Sequence, residues 1–203
     1  MTDAPVMAIT QWPTNADLIA DVARLGYLHE DWLTLDPTYG LGTWWKKWRP
    51  HKLVAHDIDP AKSPTGKSVD FTDMPQYEDD TFDAVAFDPP YKLNGTPCAD
   101  IDHRYGVHTT QTSRERHHLI QVGMIECARV LVAGGHFIMK CQNQVSSGRV
   151  NWQVDTFSIA GGLLGLEKID ELHMLSYRPQ PEGTRQVHAR RNYSTALVFR
   201  KPK

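Results

Sequence analysis

Asp88-Pro89-Pro90-Tyr91 is the densest chemical motif in the sequence, and it follows directly on the apolar run Phe82-Asp83-Ala84-Val85-Ala86-Phe87. That run reads as a buried strand. Two prolines after a strand end its hydrogen-bonded ladder and stiffen the turn that follows. One carboxylate, one free backbone carbonyl and one aromatic ring are thereby held around a single point. Such a set suits an exocyclic amine on a nucleobase, whose lone pair is delocalised into the ring. Acceptors on its two N–H groups favour localisation of the lone pair on nitrogen, and a flat side chain stacks on the base.

A second motif, Asp36-Pro37-Thr38-Tyr39-Gly40-Leu41-Gly42-Thr43, closes another short apolar run. Glycines at a strand-to-helix turn let backbone approach a ligand closely. The pattern departs from a dinucleotide site, because Trp45 stands where Gly-x-Gly-x-x-Gly needs its third glycine. Asp36, four residues before the first glycine, would also repel a pyrophosphate, which disfavours a dinucleotide oxidoreductase. An ammonium group suits Asp36 better. S-adenosylmethionine carries one, together with a sulfonium, and has no phosphate. Asp57 ends the next apolar run, at the place where a carboxylate accepts the ribose hydroxyls of an adenosine ligand; the competing reading is a turn with Asp59-Pro60. In Val69-Asp70-Phe71, Asp70 is a candidate acceptor for an adenine amino group, with Asp73 its competitor.

Both motifs resemble those of amino-group nucleic-acid methyltransferases of the DPPY type, which act on adenine N6 or cytosine N4. Leu35 to Thr43 is similar to the family's cofactor loop and Asp88-Pro89-Pro90-Tyr91 to its catalytic tetrapeptide. Val69 to Pro75 and Asp80 to Val85 resemble the approach to that motif, so the likeness spans roughly residues 10 to 140. The resemblance implies S-adenosyl-L-methionine held by Asp36, Thr38, Gly40, Gly42, Asp57, Asp70 and Phe71. It implies a target amine gripped by Asp88, Pro89, Pro90 and Tyr91, with adenine N6 in DNA the first substrate and cytosine N4 or an RNA base amine the alternatives. A non-catalytic scaffold subunit would show an eroded tetrapeptide, whereas all four residues are intact. Two departures stand out: Thr38 occupies a position commonly held by Phe, leaving Tyr39 to supply a ring, and Gln11-Trp12-Pro13 matches the family's preceding cofactor motif loosely.

The elements that must position these groups alternate. Residues 15–28 carry Leu18, Ile19, Val22, Leu25 and Leu28 at helical spacing, with Thr14 or Asn15 as cap. Strands are expected at 32–36, 52–58, 67–71, 82–88 and 135–140, a helix at 114–131 closed by Ala133-Gly134-Gly135, and a strand pair at 166–177 and 194–201. The expected fold is a doubly wound, Rossmann-like α/β sheet, mostly parallel with an antiparallel C-terminal strand pair. Trp44, Trp45 and Trp48 follow the glycine loop at helical spacing and read as core packing.

The 203 residues fit one catalytic domain, 1–203, without a separate target-recognition domain. Loops are expected at 92–112, 141–153 and 178–193. The last holds Arg178, Arg185, Arg190 and Arg191 against Glu182, with Tyr193 beside them. Arg185, Arg190, Arg191 and Tyr193 are the candidate nucleic-acid contacts, DNA being favoured over RNA, and a protein partner could supply further target recognition. A net charge of −2 excludes a generally polybasic binder. Three widely spaced cysteines argue against a disulfide framework or a cysteine zinc site. His103, His108, His117 and His118 lack a metal-ligand spacing, and methyl transfer to nitrogen needs no metal. Without a secretion signal or a membrane-spanning run, the chain is expected to be soluble and cytoplasmic.

Overall fold

The computed structural model describes residues 4–93, 112–146, 148–176 and 186–203. Its elements in chain order are β1 (Ile9–Thr10), α1 (Asn15–Arg24), β2 (Leu33–Asp36), a 3-10 turn (Thr43–Trp45), β3 (Lys52–Ala55), β4 (Phe82–Phe87) and α2 (Ser113–Val130), followed by β5 (Leu131–Cys141), β6 (Gln144–Ser146), β7 (Arg149–Asn151), α3 (Gln153–Leu163), β8 (Glu167–Leu175) and β9 (Tyr193–Arg200).

Side chains on successive strand residues point to opposite faces, and both faces here are apolar. Val85, Phe87, Phe137, Met139, Leu197 and Phe199 pack with Ile120, Met124 and Cys127 of α2 and Phe157 of α3. Ala84, Ala86, Ile138, Ala196 and Val198 join Leu18, Ile19 and Val22 of α1, and Trp44 and Trp45, on the other face. Seven strands form one sheet in the order β1-β8-β9-β5-β4-β2-β3, while β6 and β7 pair separately. Within the large sheet every pairing is parallel except those made by β9, which runs antiparallel to both β5 and β8. The chain passes from β2 outward to β3, then returns to β4 on the other side of β2. That reversal is a switch point, and in open α/β sheets ligands bind at the carboxyl ends of the strands flanking it.

Several local expectations are corrected. α1 stops at Arg24 rather than 28, because Gly26 takes a left-handed φ of 82°. Its cap is Thr14, in a reciprocal box with Asp17. The strand expected at 67–71 shrinks to one parallel bridge, Asp57 to Ser68. The tryptophans after the glycine loop lie in and beyond a 3-10 turn, not a longer helix. Ala133, Gly134 and Gly135 lie inside β5, where the register against β4 shifts, so they do not close α2. Residues 141–153, expected as a loop, hold the β6–β7 hairpin and lead into α3. No helix among the described residues is long and apolar enough to cross a membrane.

Candidate active site at the switch point

Asp36 is the last residue of β2, and Asp88 follows the last residue of β4. The two strands are parallel neighbours, Leu35 opposite Val85, so both carboxylates arrive at one sheet edge. Between them lies a cleft of about 240 Å³ lined by Asp36, Thr38, Tyr39, Gly40, Leu41, Thr43, Trp44 and Asp88. Thr38 joins the two motifs directly: its backbone N–H donates to Asp36 Oδ1 at 2.9 Å, and its hydroxyl oxygen accepts the Asp88 N–H at 2.9 Å.

Two consecutive indoles hold the two carboxylates. Trp44 Nε1–H donates to Asp88 Oδ2 at 2.9 Å, and Trp45 Nε1–H donates to Asp36 Oδ2 at 2.7 Å. Both rings are buried, as core packing requires. The Trp44 role as a carboxylate donor was invisible in the sequence, because Trp44 and Asp88 are 44 residues apart. Asp36 is buried with neutral donors, and burial pushes its pKa up to about 7 despite the bonds from Trp45 and Thr38; the Asp88 charge adds to the rise. A cation entering the cleft would relieve that desolvated carboxylate.

The glycine loop is a backbone necessity. Gly40 and Gly42 have φ of 55° and 61°, and a Cβ on Gly42 would lie 2.4 Å from the Tyr39 hydroxyl. Tyr39 thus supplies a ring to the cleft where Thr38 has none. Asp57, just past β3, accepts Gly40 N–H on one oxygen and Asp59 N–H on the other, both at 2.8 Å. It ties the loop down and also serves the Asp59 turn. Asp70 is exposed and accepts the Thr72 N–H and hydroxyl. Phe71 is turned into the core against Phe87, over the bare Cα of Gly123. Asp36, Asp57 and Asp70 therefore stand at the ends of β2, of β3 and of the Asp57–Ser68 bridge.

The tetrapeptide is braced from further away. Tyr91 N–H donates to the Pro89 carbonyl at 2.7 Å, so that carbonyl is not free, contrary to expectation, but keeps one lone pair. The Tyr91 carbonyl accepts the side-chain amides of Gln144 and Gln153, each at 2.8 Å. Lys140, buried near the end of β5, donates to the Tyr91 hydroxyl at 3.2 Å and lies 5.7 Å from the ring centroid. Burial raises the Asp88 pKa, against the Lys140 charge and the Trp44 bond, which lower it. Lys140, Gln144 and Gln153 were missed because a strand-end lysine and a Gln142-Asn143-Gln144 run read as an ordinary polar loop.

Arg185 lies outside the described residues, as do Arg178, His103 and His108. Arg190 and Arg191 lie just before β9. Tyr193 opens β9 with its ring edge-on to His173, at 5.5 Å; the ring beside Arg191 belongs to Trp152 instead. Trp12, from the loosely matched motif, is buried and donates to Asp21 of α1. His117 packs edge-on to Phe157. Among the described residues no three metal-ligating side chains cluster.

The chain matches no protein-family model and no curated protein. Solved structures do resemble it. The N-methyltransferase NodS from Bradyrhizobium japonicum aligns over 92% of this chain and 96% of its own, with a TM-score of 0.56 and 13% identity. The chain has a Rossmann-like class I methyltransferase fold. The [4+2]-cyclase SpnF shares that fold at a TM-score of 0.55, with 14% identity over 92% of this chain and 80% of its own, so the fold does not choose the reaction. A candidate DNA modification methylase from Thermus thermophilus, solved with S-adenosyl-L-methionine, reaches a TM-score of 0.44 at 15% identity over 63% of this chain. This chain spans half of that protein's length, and a likeness so slight carries no argument.

Proposed function

We propose that the protein is an S-adenosyl-L-methionine-dependent methyltransferase acting on an exocyclic amino group of a nucleobase, adenine N6 in DNA first. The observation that carries this reading is the sharing of one switch-point cleft by the glycine loop and Asp88, the first residue of the Asp88-Pro89-Pro90-Tyr91 turn. A donor held by the loop and an acceptor held by the turn would meet there. The donor fits the residues present: Asp36, whose hydrogen-bond donors among the described residues are all neutral, offers a buried carboxylate to the ligand's ammonium, and Asp57 and Asp70 offer acceptors to its ribose and adenine. When bound, the cofactor would supply a methyl group on a sulfonium, its carbon–sulfur bond giving way to the new carbon–nitrogen bond and a neutral thioether departing.

Asp88 orients the target amine. Trp44 engages Oδ2, which among the described residues leaves Oδ1 for one amine N–H, while the second lone pair of the Pro89 carbonyl takes the other. As the amine nitrogen forms its new C–N bond it must lose a proton. The raised pKa of Asp88 makes it a better acceptor for that proton than an exposed carboxylate. Tyr91 is fixed through its carbonyl and hydroxyl and packs against the core on one side; the role assigned to its ring is to stack on the base. The test is transfer of tritiated methyl to pools of DNA, RNA and protein, followed by nucleoside mass spectrometry. N6-methyladenine in DNA is expected. N4-methylcytosine or label in RNA alone would move the substrate, and no transfer to any nucleic acid would overturn the reading.

A further inference from the structure

We propose that the β6–β7 hairpin, the start of α3 and residues 186–192 form a DNA-binding rim beside the catalytic turn, with Trp152 as its stacking surface. The inference rests on the function proposed above and adds Trp152, Arg149 and the hairpin, which the sequence did not single out, to the Arg190–Arg191 pair that it did.

Trp152 is half exposed and sits at the N-cap of α3, where its side chain makes no capping bond. Tryptophan is a poor cap, and half of this large indole is left in solvent. Its neighbour in sequence, Gln153, is fully buried and holds the Tyr91 carbonyl. The exposed ring is therefore anchored one residue away from a direct contact to the catalytic turn. The Arg191 guanidinium lies 4.8 Å from the Trp152 ring centroid, a cation–π distance that stiffens both side chains.

Residues 186–192 are fastened to this corner rather than left loose. The His188 ring nitrogen bonds the Gly148 carbonyl at 2.9 Å, and the Gln142 amide donates to the Arg191 carbonyl at 2.9 Å. The hairpin in turn grips the end of the turn: Ser146 Oγ donates to Leu93 O, and Gln144 bonds both Tyr91 O and Leu93 N–H. Charge completes the surface. Residues 148–155 and 186–193 carry Arg149, Arg190, Arg191 and His188 against one acid, Asp155, in a chain whose net charge is −2. A basic edge around an exposed aromatic ring, next to a site for a nucleobase amine, matches a nucleic-acid strand: a base flanking the target stacks on Trp152, and Arg149 and Arg191 meet its phosphates.

The experiment uses the full chain and a fluorescent 20-base-pair adenine-containing DNA duplex, with anisotropy read across a salt titration and methyl transfer to the same duplex run in parallel. Trp152→Ala should weaken DNA binding roughly 5- to 100-fold, the range for loss of one base–aromatic stack, and Trp152→Phe should restore most of it. The double variant Arg149→Ala/Arg191→Ala should flatten the salt slope by about 0.9 per lost phosphate contact. S-adenosylmethionine affinity and the unfolding midpoint should stay as in wild type. A wild type that methylates the duplex while Trp152→Ala binds it equally well, or salt lines that stay parallel for the double variant, would overturn the rim alone. A wild type that transfers no methyl to DNA would overturn the rim and the proposed function together.

Discussion

The two sides of the cleft are held in opposite ways. On the loop side, the acids mostly secure nearby backbone: Asp36 takes the N–H of Thr38, Asp57 that of Asp59, and Asp70 that of Thr72. On the turn side, Asp88 and Tyr91 are held from a distance, by Trp44, Lys140, Gln144 and Gln153, each 44 or more residues away in sequence. A side built from two-residue contacts is cheap to form and able to give when a ligand enters. A side braced by strands and a hairpin far apart in sequence is preorganised only once the whole sheet exists, which is what positioning a reacting amine demands.

The largest test of that contrast is Asp88→Ala. Methyl transfer should fall at least about 1,000-fold, since both the amine acceptor and the proton acceptor are lost, while calorimetry finds S-adenosylmethionine affinity within about threefold of wild type. A matching loss of cofactor affinity would show that the two sides work as one unit. Next in size is Asp57→Ala, which should weaken the cofactor by about 1.5–3 kcal/mol, the value of hydrogen bonds to a charged group, with kcat at saturation little changed.

Lys140→Met sharpens the comparison on the turn side. Burial already raises the Asp88 pKa, and Lys140 holds it down. Removing the cation raises it further, so the acid limb of kcat should move toward higher pH, with activity on that limb falling below wild type. Lys140→Arg should return the limb most of the way. Among the described residues Tyr91→Phe loses the bond from Lys140 and keeps the ring, so it should be harmful but less so than Tyr91→Ala, which also loses the ring.

Asp36 takes no part in gripping the amine, so its variant reads out in pH dependence, with a sign that follows from its raised pKa. The folded chain keeps the Asp36 proton to about pH 7, whereas an unperturbed aspartate releases it near 3.8. Between those values the folded state binds more protons, so stability from this group is lost as pH rises through the window. Asp36→Asn should therefore gain about 1–3 kcal/mol over wild type at pH 8 and nothing at pH 4, read from thermal unfolding. The cofactor's ammonium needs the ionised form, so wild-type affinity should tighten roughly 5- to 10-fold from pH 6 to pH 8, and the asparagine variant should show a flat, weak response.

What could be read in advance follows the same division. β2, β4, α2 and the β8–β9 pair lie where short apolar runs and helical spacing put them, because burial on two faces writes itself into every residue of such a segment. The glycine loop and the proline-stiffened turn were legible because their backbone demands are local. Failures came where a partner far along the chain decides. Val69 and Phe71 carry strand-like pattern, yet Phe71 is recruited by Phe87 and Gly123, and the segment keeps one bridge. Gln144 and Gln153 both look like loop residues until the carbonyl of Tyr91 is placed between them. The Pro89 carbonyl looked open because the inward bend of Tyr91 N–H onto it is a conformational choice that four residue names do not reveal.

β9 has a consequence for how the chain comes to be folded during synthesis. It lies between β5 and β8, pairing with six residues of the first and eight of the second, and its residues 195–199 are fully buried. Until those residues leave the ribosome, β5 and β8 have facing open edges and the two apolar layers lack their shared centre. Residues up to about Arg200 must emerge before the sheet can close, so the nascent protein depends on chaperones or on speed to keep two bare strands from pairing with a neighbour's. The strand that contributes no group to the cleft is in this sense the one that commits every other to its place.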